Sequence, residues 1–205
     1  MENSMIRVWD PLVRVFHWSL VVAFAVAWLS AEEWSDLHEW AGYAAVALIS
    51  LRILWGVIGT RYARFSQFVR GPGAVLHYLR EILARREARY IGHNPAGAVM
   101  ILAILVVMSA TAYTGWLMED PGRQSLFSHL PPVVASALAD DDDATAAYGG
   151  EGGLEEVHEI LADLMLILVI LHLGGVALAS IRHRENLARA MITGDKRKPE
   201  PGDID

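Results

Sequence analysis

Polar and apolar positions along the 205 residues do not alternate with the short periods of a soluble fold. They segregate into four long apolar runs, at about 12–31, 37–59, 95–118 and 154–181. Each is long enough for an α-helix to cross a hydrocarbon layer of roughly 30 Å, which takes about 20 residues. No window alternates with the two-residue period of a strand. A fifth segment, 73–87, intersperses leucines and aromatics with arginines, the pattern of an amphipathic helix lying on a membrane surface. The expectation is an all-α integral membrane protein: a four-helix bundle forming one domain over 1–205, with an external loop at 119–153. The first run has the flanks of a signal peptide, but its length and the presence of His17 and Trp18 near its start argue for a retained span.

Composition sharpens this. Hydrophobic residues make up 54% of the chain, more than the roughly 45–50% of a soluble domain. Cysteine is absent, which excludes disulfides, iron–sulfur ligation and covalent haem attachment. The basic residues then orient the spans. Arg7, Arg14, the seven arginines from Arg61 to Arg89, and the six cations from Arg182 to Lys198 fall on one side, whereas Arg123 stands alone on the other. Fifteen against one places both termini in the cytoplasm, the chain being a multi-pass membrane protein. Trp9, Trp18 and Trp55 are expected in the inner aromatic belt, and Trp28, Trp34, Trp40 and Trp116 in the outer one. No nucleic-acid partner is expected.

Ionisable side chains inside hydrocarbon are costly and call for partners. The last run carries His158 and His172, fourteen residues apart. On a helix that spacing is about 21 Å and about 1400°, close to four turns, so both imidazoles share one face at two depths. Span direction places His158 outside and His172 inside, His38 outside on the second run and His17 inside on the first. The depths match in pairs. His38 with His158, and His17 with His172, are the expected axial ligands of two low-spin haem b groups. Zinc or di-iron would need carboxylates or further nitrogens clustered at one depth, and deep within the spans the sequence supplies only Asp163.

Five stretches carry a resemblance: W-D-P-L-V-R-V-F-H-W (9 to 18), R-I-L-W-G-V-I-G-T-R-Y-A-R-F (52 to 65), G-H-N-P-A-G-A (92 to 98), H-E-I-L-A-D-L-M-L-I-L-V-I-L-H-L-G-G-V (158 to 176) and H-R-E-N-L-A-R-A-M-I-T-G (183 to 194). With these the chain resembles the prokaryotic cytochrome b561 family, in which the haem b subunits of nickel–iron hydrogenases and formate dehydrogenases are grouped. The resemblance implies a di-haem b cytochrome exchanging electrons with a membrane quinone, ubiquinone or menaquinone, and assigns the same four histidines. It also makes Asn94 a candidate quinone contact and His93 a candidate proton donor. Asn94 has a second reading, as N-cap of a helix opened by Pro95. Arg52 lies fourteen residues after His38, and either snorkels to the cytoplasmic surface or meets a propionate of the inner haem. Asp163 points about 140° away from His158 and is read as a partnered or solvated residue, with proton transfer as the alternative.

Three functions stand at this point. The first is an electron-transfer subunit linking quinone to a periplasmic redox protein, most simply a basic c-type cytochrome attracted by Glu32, Glu33, Asp36, Glu119, Asp120, Asp140 to Asp143 and Glu151. The second, drawn from the resemblance, is a superoxide:ubiquinone oxidoreductase, or a subunit of a hydrogenase-like complex. The third is a haem-free anchor or transporter.

Overall fold

A computed structural model describes residues 5–120, 122–123 and 153–205. Asp140 to Asp143 and Glu151, with the expectations attached to them, lie outside the described residues. The described chain is mostly helical: α1 (Pro11–Ser30), α2 (Ser35–Ile58), α3 (Phe65–Phe68), α4 (Pro72–Ala84), α5 (Pro95–Met118), α6 (Gly153–Arg182) and α7 (Leu187–Thr193). Four of these, α1, α2, α5 and α6, are long and apolar enough to cross a membrane. Their ends fall within a residue or two of the boundaries expected from hydropathy. The surface helix is shorter than expected, because Arg85 takes a left-handed conformation (φ 56°) and ends α4 before Glu87.

Local chemistry sets where the helices begin. Asp10 caps α1 through a 2.9 Å bond from the Val13 N–H, with Pro11 at the first helical position. Its other carboxylate oxygen accepts from the Thr60 hydroxyl and from Trp55 Nε1, which ties the start of α1 to the end of α2. Asn94 caps α5 in the same way, its Oδ1 accepting from the Gly97 N–H at 2.7 Å.

The long helices pack chiefly as two neighbours-in-sequence pairs, α1 along α2 and α5 along α6, while α2 touches α5 more sparsely. One apolar cluster joins all four, through Leu20 and Ala23, Ala45 and Ile49, Leu105 and Met108, and Met165. Outward positions such as Leu29, Val57, Val106 and Leu173 are exposed and apolar, as a lipid-facing surface requires.

One end of the structure holds a clasp that the hydrophobic pattern did not announce. Two three-residue strands, β1 (Met5–Arg7) and β2 (Asp195–Arg197), pair antiparallel with Ile6 opposite Lys196. The two termini thus meet at the same end of the helices. Period-two analysis misses such strands because they are short and lie 190 residues apart in sequence. Trp9 belongs to this end and departs from the expected aromatic belt. At 7% exposure it is buried within the protein, packed with Val8, Ile91 and Ala190.

The clasp is locked by buried charges. Arg89 forks onto Glu185 at 2.9 and 3.2 Å, and also reaches Asp203 and the Arg197 carbonyl. Lys196, 3% exposed, donates to the carbonyls of Ile91 (2.9 Å) and Tyr90 (3.2 Å) and lies 3.4 Å from Glu185. Burial alone would raise the pKa of Glu185, but the Arg89 bonds, the charge of Lys196 and the Arg197 N–H outweigh it and hold the carboxyl below its ordinary value.

Removing one member of such a network strands the others as buried charges, at a cost of about 3–5 kcal/mol. Glu185→Gln is therefore expected to lower the thermal midpoint of the detergent-solubilised protein and to speed tryptic cleavage at Lys196 and Arg197. In the unmodified chain the stabilisation from Glu185 is complete above the ordinary value of 4.5 and is lost as the pH falls through the depressed pKa. Thermal unfolding measured across pH 3 to 7 checks this, and the variant should show a flatter profile.

Candidate functional site

Helix α6 carries two imidazoles and meets a different helix with each. The rings of His17 on α1 and His172 on α6 have centroids 6.4 Å apart and planes at 48°. Those of His38 on α2 and His158 on α6 are 6.1 Å apart at 71°. The two pairs sit fourteen residues, about 21 Å, from one another along α6. Among the described residues no group of three or more His, Asp and Glu side chains is placed to hold a metal ion, so what the site offers at each end is a two-nitrogen donor set.

The His38–His158 pair, farther from the clasp, is held by its far nitrogens. His38 Nδ1 lies 2.8 Å from the Ala27 carbonyl in the last turn of α1. A carbonyl only accepts, so Nδ1 carries the proton and Nε2 keeps a free lone pair. His158 Nδ1 lies 2.9 Å from the Thr114 hydroxyl on α5. Gly115 makes room for that ring, since a Cβ there would stand 3.2 Å from His158 Cε1. In the other pair His17 Nδ1 is sealed from solvent without a hydrogen-bond partner among the described residues, and the edge of Trp18 packs on its ring at 5.2 Å.

Around the His17–His172 pair the structure gathers further polar groups. Arg52 is 5% exposed, its guanidinium lies 4.9 Å from the centroid of Phe65, and one terminal nitrogen is buried without a partner. It lines a cavity of about 150 Å³ between α1 and α2, together with Phe16, Leu48 and Trp55. Gly56 lets the Phe65 ring reach that position, because a Cβ there would overlap the ring edge at 2.1 Å. His93 is sandwiched between Trp9 and Phe68, each ring centroid 4.6 Å from its own, with Nδ1 buried and unpartnered. Desolvation, then the charges of Arg52 and Lys196, push its pKa down to about 3, so its ring is neutral at pH 7. Asn94 adjoins it and acts as the helix cap described above. Asp163 lies exposed on the flank of α6.

The family described as prokaryotic cytochrome b561 matches residues 8–194. The chain belongs to that family. No curated protein and no solved structure matches it. As a cytochrome b561 relative it is a membrane cytochrome that binds b-type haem and transfers electrons.

The paired histidines fit that group. A metal–nitrogen bond of about 2 Å, plus about 1.2 Å from ring nitrogen to ring centre on each side, separates the centroids of two trans imidazoles by about 6.4 Å. Both observed separations lie within a few tenths of an ångström of this. A carbonyl or hydroxyl on the far nitrogen is also what orients a metal-binding histidine. The pairing of His17 with His172 and of His38 with His158 was expected from the sequence, whereas Thr114, Gly115, Gly56 and Phe65 were not singled out. The glycines are small residues of the kind that let spans approach closely, but alanines and other glycines in the same spans hid which ones mattered.

At the opposite end from the clasp, Arg123 is engaged by Glu119 at 2.7 Å, by Asp120 at 3.7 Å and by the face of Trp116 at 4.7 Å. The one cation expected on the outer surface is thus already paired.

Overpacking a site of this kind costs about 1–3 kcal/mol. Gly56→Ala is expected to push Phe65 from beneath Arg52, lowering the thermal midpoint and shifting the visible spectrum of the bound haem. An unchanged spectrum and midpoint would mean that the ring finds another seat without loss.

Proposed function

We propose that this cytochrome b561 relative is a single transmembrane domain, a four-helix bundle in the bacterial cytoplasmic membrane, carrying two haem b groups. It passes electrons between membrane quinone at the clasp end and a periplasmic redox protein at the other. The observation that carries the reading is the geometry of α6, which faces one histidine partner at each end. His17 and His172 would hold the inner haem, and His38 and His158 the outer one. Bound haem supplies one-electron carriage at each level.

The chain's own residues do the rest. The cation count supports a cytoplasmic position for the clasp and both termini, with α4 along the inner leaflet. Arg52 brings a buried cation with an unused N–H to the inner site, which suits a haem propionate. Asn94 commits its oxygen to the α5 cap, leaving its amide N–H groups to donate to a quinone oxygen. His93, neutral, takes part there as a hydrogen-bonding ring. On the outer side, the paired Arg123 leaves a surface of net negative charge above the outer pair. That field favours a basic protein, most simply a c-type cytochrome, over an anionic substrate such as superoxide.

Haem content tests the ligand assignment. Replacing His38 or His158 by Ala is expected to remove one haem, replacing His17 or His172 the other, and each variant should retain the companion. Retention of both haems in any variant would strike that histidine from the set.

Quinone placement is tested separately. Asn94→Ala should slow quinol-driven haem reduction several-fold at sub-saturating quinol, with the spectra unchanged. An unaltered rate would put the quinone elsewhere.

The partner is tested by stopped-flow transfer to a cationic cytochrome c. Its rate should fall as salt rises from 0.1 to 1 M, over which the Debye length shrinks from about 10 to about 3 Å. Replacing Asp140 to Asp143 by Asn should weaken that dependence, and a rate indifferent to both changes would remove the basic partner.

A further inference from the structure

The hydroxyl of Thr114 is placed to do more than fill space. Thr114 is 4% exposed, on the face of α5 turned to α6. Its Oγ1 lies 2.8 Å from the Thr111 carbonyl and 2.9 Å from His158 Nδ1. A hydroxyl has one proton, and the Thr111 carbonyl accepts it, since a carbonyl has nothing to donate. What Oγ1 then presents to His158 is a lone pair, so His158 Nδ1 is the donor and bears the proton. Its Nε2 is left as the unprotonated nitrogen, on the ring that faces His38. Gly115, the next residue, lets the imidazole lie close enough for this bond to form. No equivalent bond is made by His17, whose Nδ1 has no partner among the described residues.

We infer that Thr114, beside Gly115, is the positioning residue for His158, fixing its tautomer and making it a stronger donor to the outer haem iron. A donated Nδ1–H bond raises the basicity of the opposite nitrogen and orients the ring. Stronger donation favours ferric over ferrous iron, so Thr114 holds the outer haem at a lower potential than an unbonded His158 would. Thr114→Val keeps the shape but removes the hydroxyl acceptor, leaving the His158 N–H with the Thr111 carbonyl alone, which also loses the Thr114 donor that oriented it. Thr114→Ser keeps the acceptor and removes only a methyl group.

The proposal rests on His158 being an axial ligand, and the two fail differently. Retention of both haems in His158→Ala overturns the ligand assignment, whereas the Thr114 series asks what tunes an intact ligand. Redox titration of the purified two-haem protein, followed in the visible α-band, resolves one n = 1 step per haem. In Thr114→Val one step is expected to move upward by about tenfold in the equilibrium, about 59 mV for one electron, while the other stays. The low-spin ferric EPR signal of the same haem should shift its largest g value, and Thr114→Ser should restore both readouts. If Thr114→Val loses that haem while Thr114→Ser keeps it at the original potential, the hydroxyl is still shown to be the required group. Two unmoved steps in Thr114→Val, or loss of haem in Thr114→Ser as well, overturns the proposal.

Discussion

The rest of the structure depends on two imidazoles sharing one stripe of one apolar helix. A buried ring nitrogen in a membrane span has no water to turn to, and its neighbours on α6 are chiefly leucine, isoleucine, valine and methionine. Each ring must therefore find its partner on another helix. His172 faces α1 and His158 faces α2, which requires the α1–α2 hairpin to lie across α6 even though the tightest apolar packing is within the pairs α1–α2 and α5–α6. The two sequence-adjacent pairs are joined by the shared apolar cluster near mid-length and by the histidines at either side of it.

The clasp fixes the same relation from outside the apolar region. The carbonyl of Ile192 accepts from Arg14 and that of Met191 from Trp18, so the chain leaving α6 is bonded to the first turns of α1. The Gly194 carbonyl accepts from the N–H groups of Val8 and Trp9, at 2.9 and 3.1 Å. Gly194 adopts φ 90°, and a Cβ there would press on the Trp9 carbonyl at 2.7 Å, so this crossing needs glycine. The residues that bring the termini together also act on His93: Trp9 packs on one face of its ring, and the charge of Lys196 helps hold that ring neutral. Stability and the inner site are in this way built from shared parts.

The contrast between what the sequence disclosed and what it concealed has a physical origin. Four spans and four histidines were legible because hydropathy and helical phase are local and periodic: His158 and His172 announce a common face by spacing alone, and Pro95 after Asn94 announces a helix start. The clasp was not, because Ile6 and Lys196 meet only through a fold-wide contact, and three residues of strand leave no period to detect. Trp9 was assigned to an aromatic belt by its depth, which says nothing of whether lipid or protein surrounds it. Thr114 escaped notice for a related reason. A hydroxyl in a span ordinarily satisfies itself on its own helix backbone, as Ser109 and Thr111 do, and only the position of His158 shows the second use.

Because both pairs draw one member from α6, the distance between them is a property of the peptide chain. It equals fourteen steps of helical rise, about 21 Å. A thicker bilayer, a tilted helix or a loosened neighbour changes how deep each pair lies, and leaves the gap between them almost untouched. With a haem at each pair, as proposed, electron-transfer rates that decay exponentially with distance would be insulated from the lipid in which the protein sits. The helix works as a ruler, and the one kind of change that would re-mark it is an insertion or deletion between His158 and His172, which would also turn the two rings onto different faces.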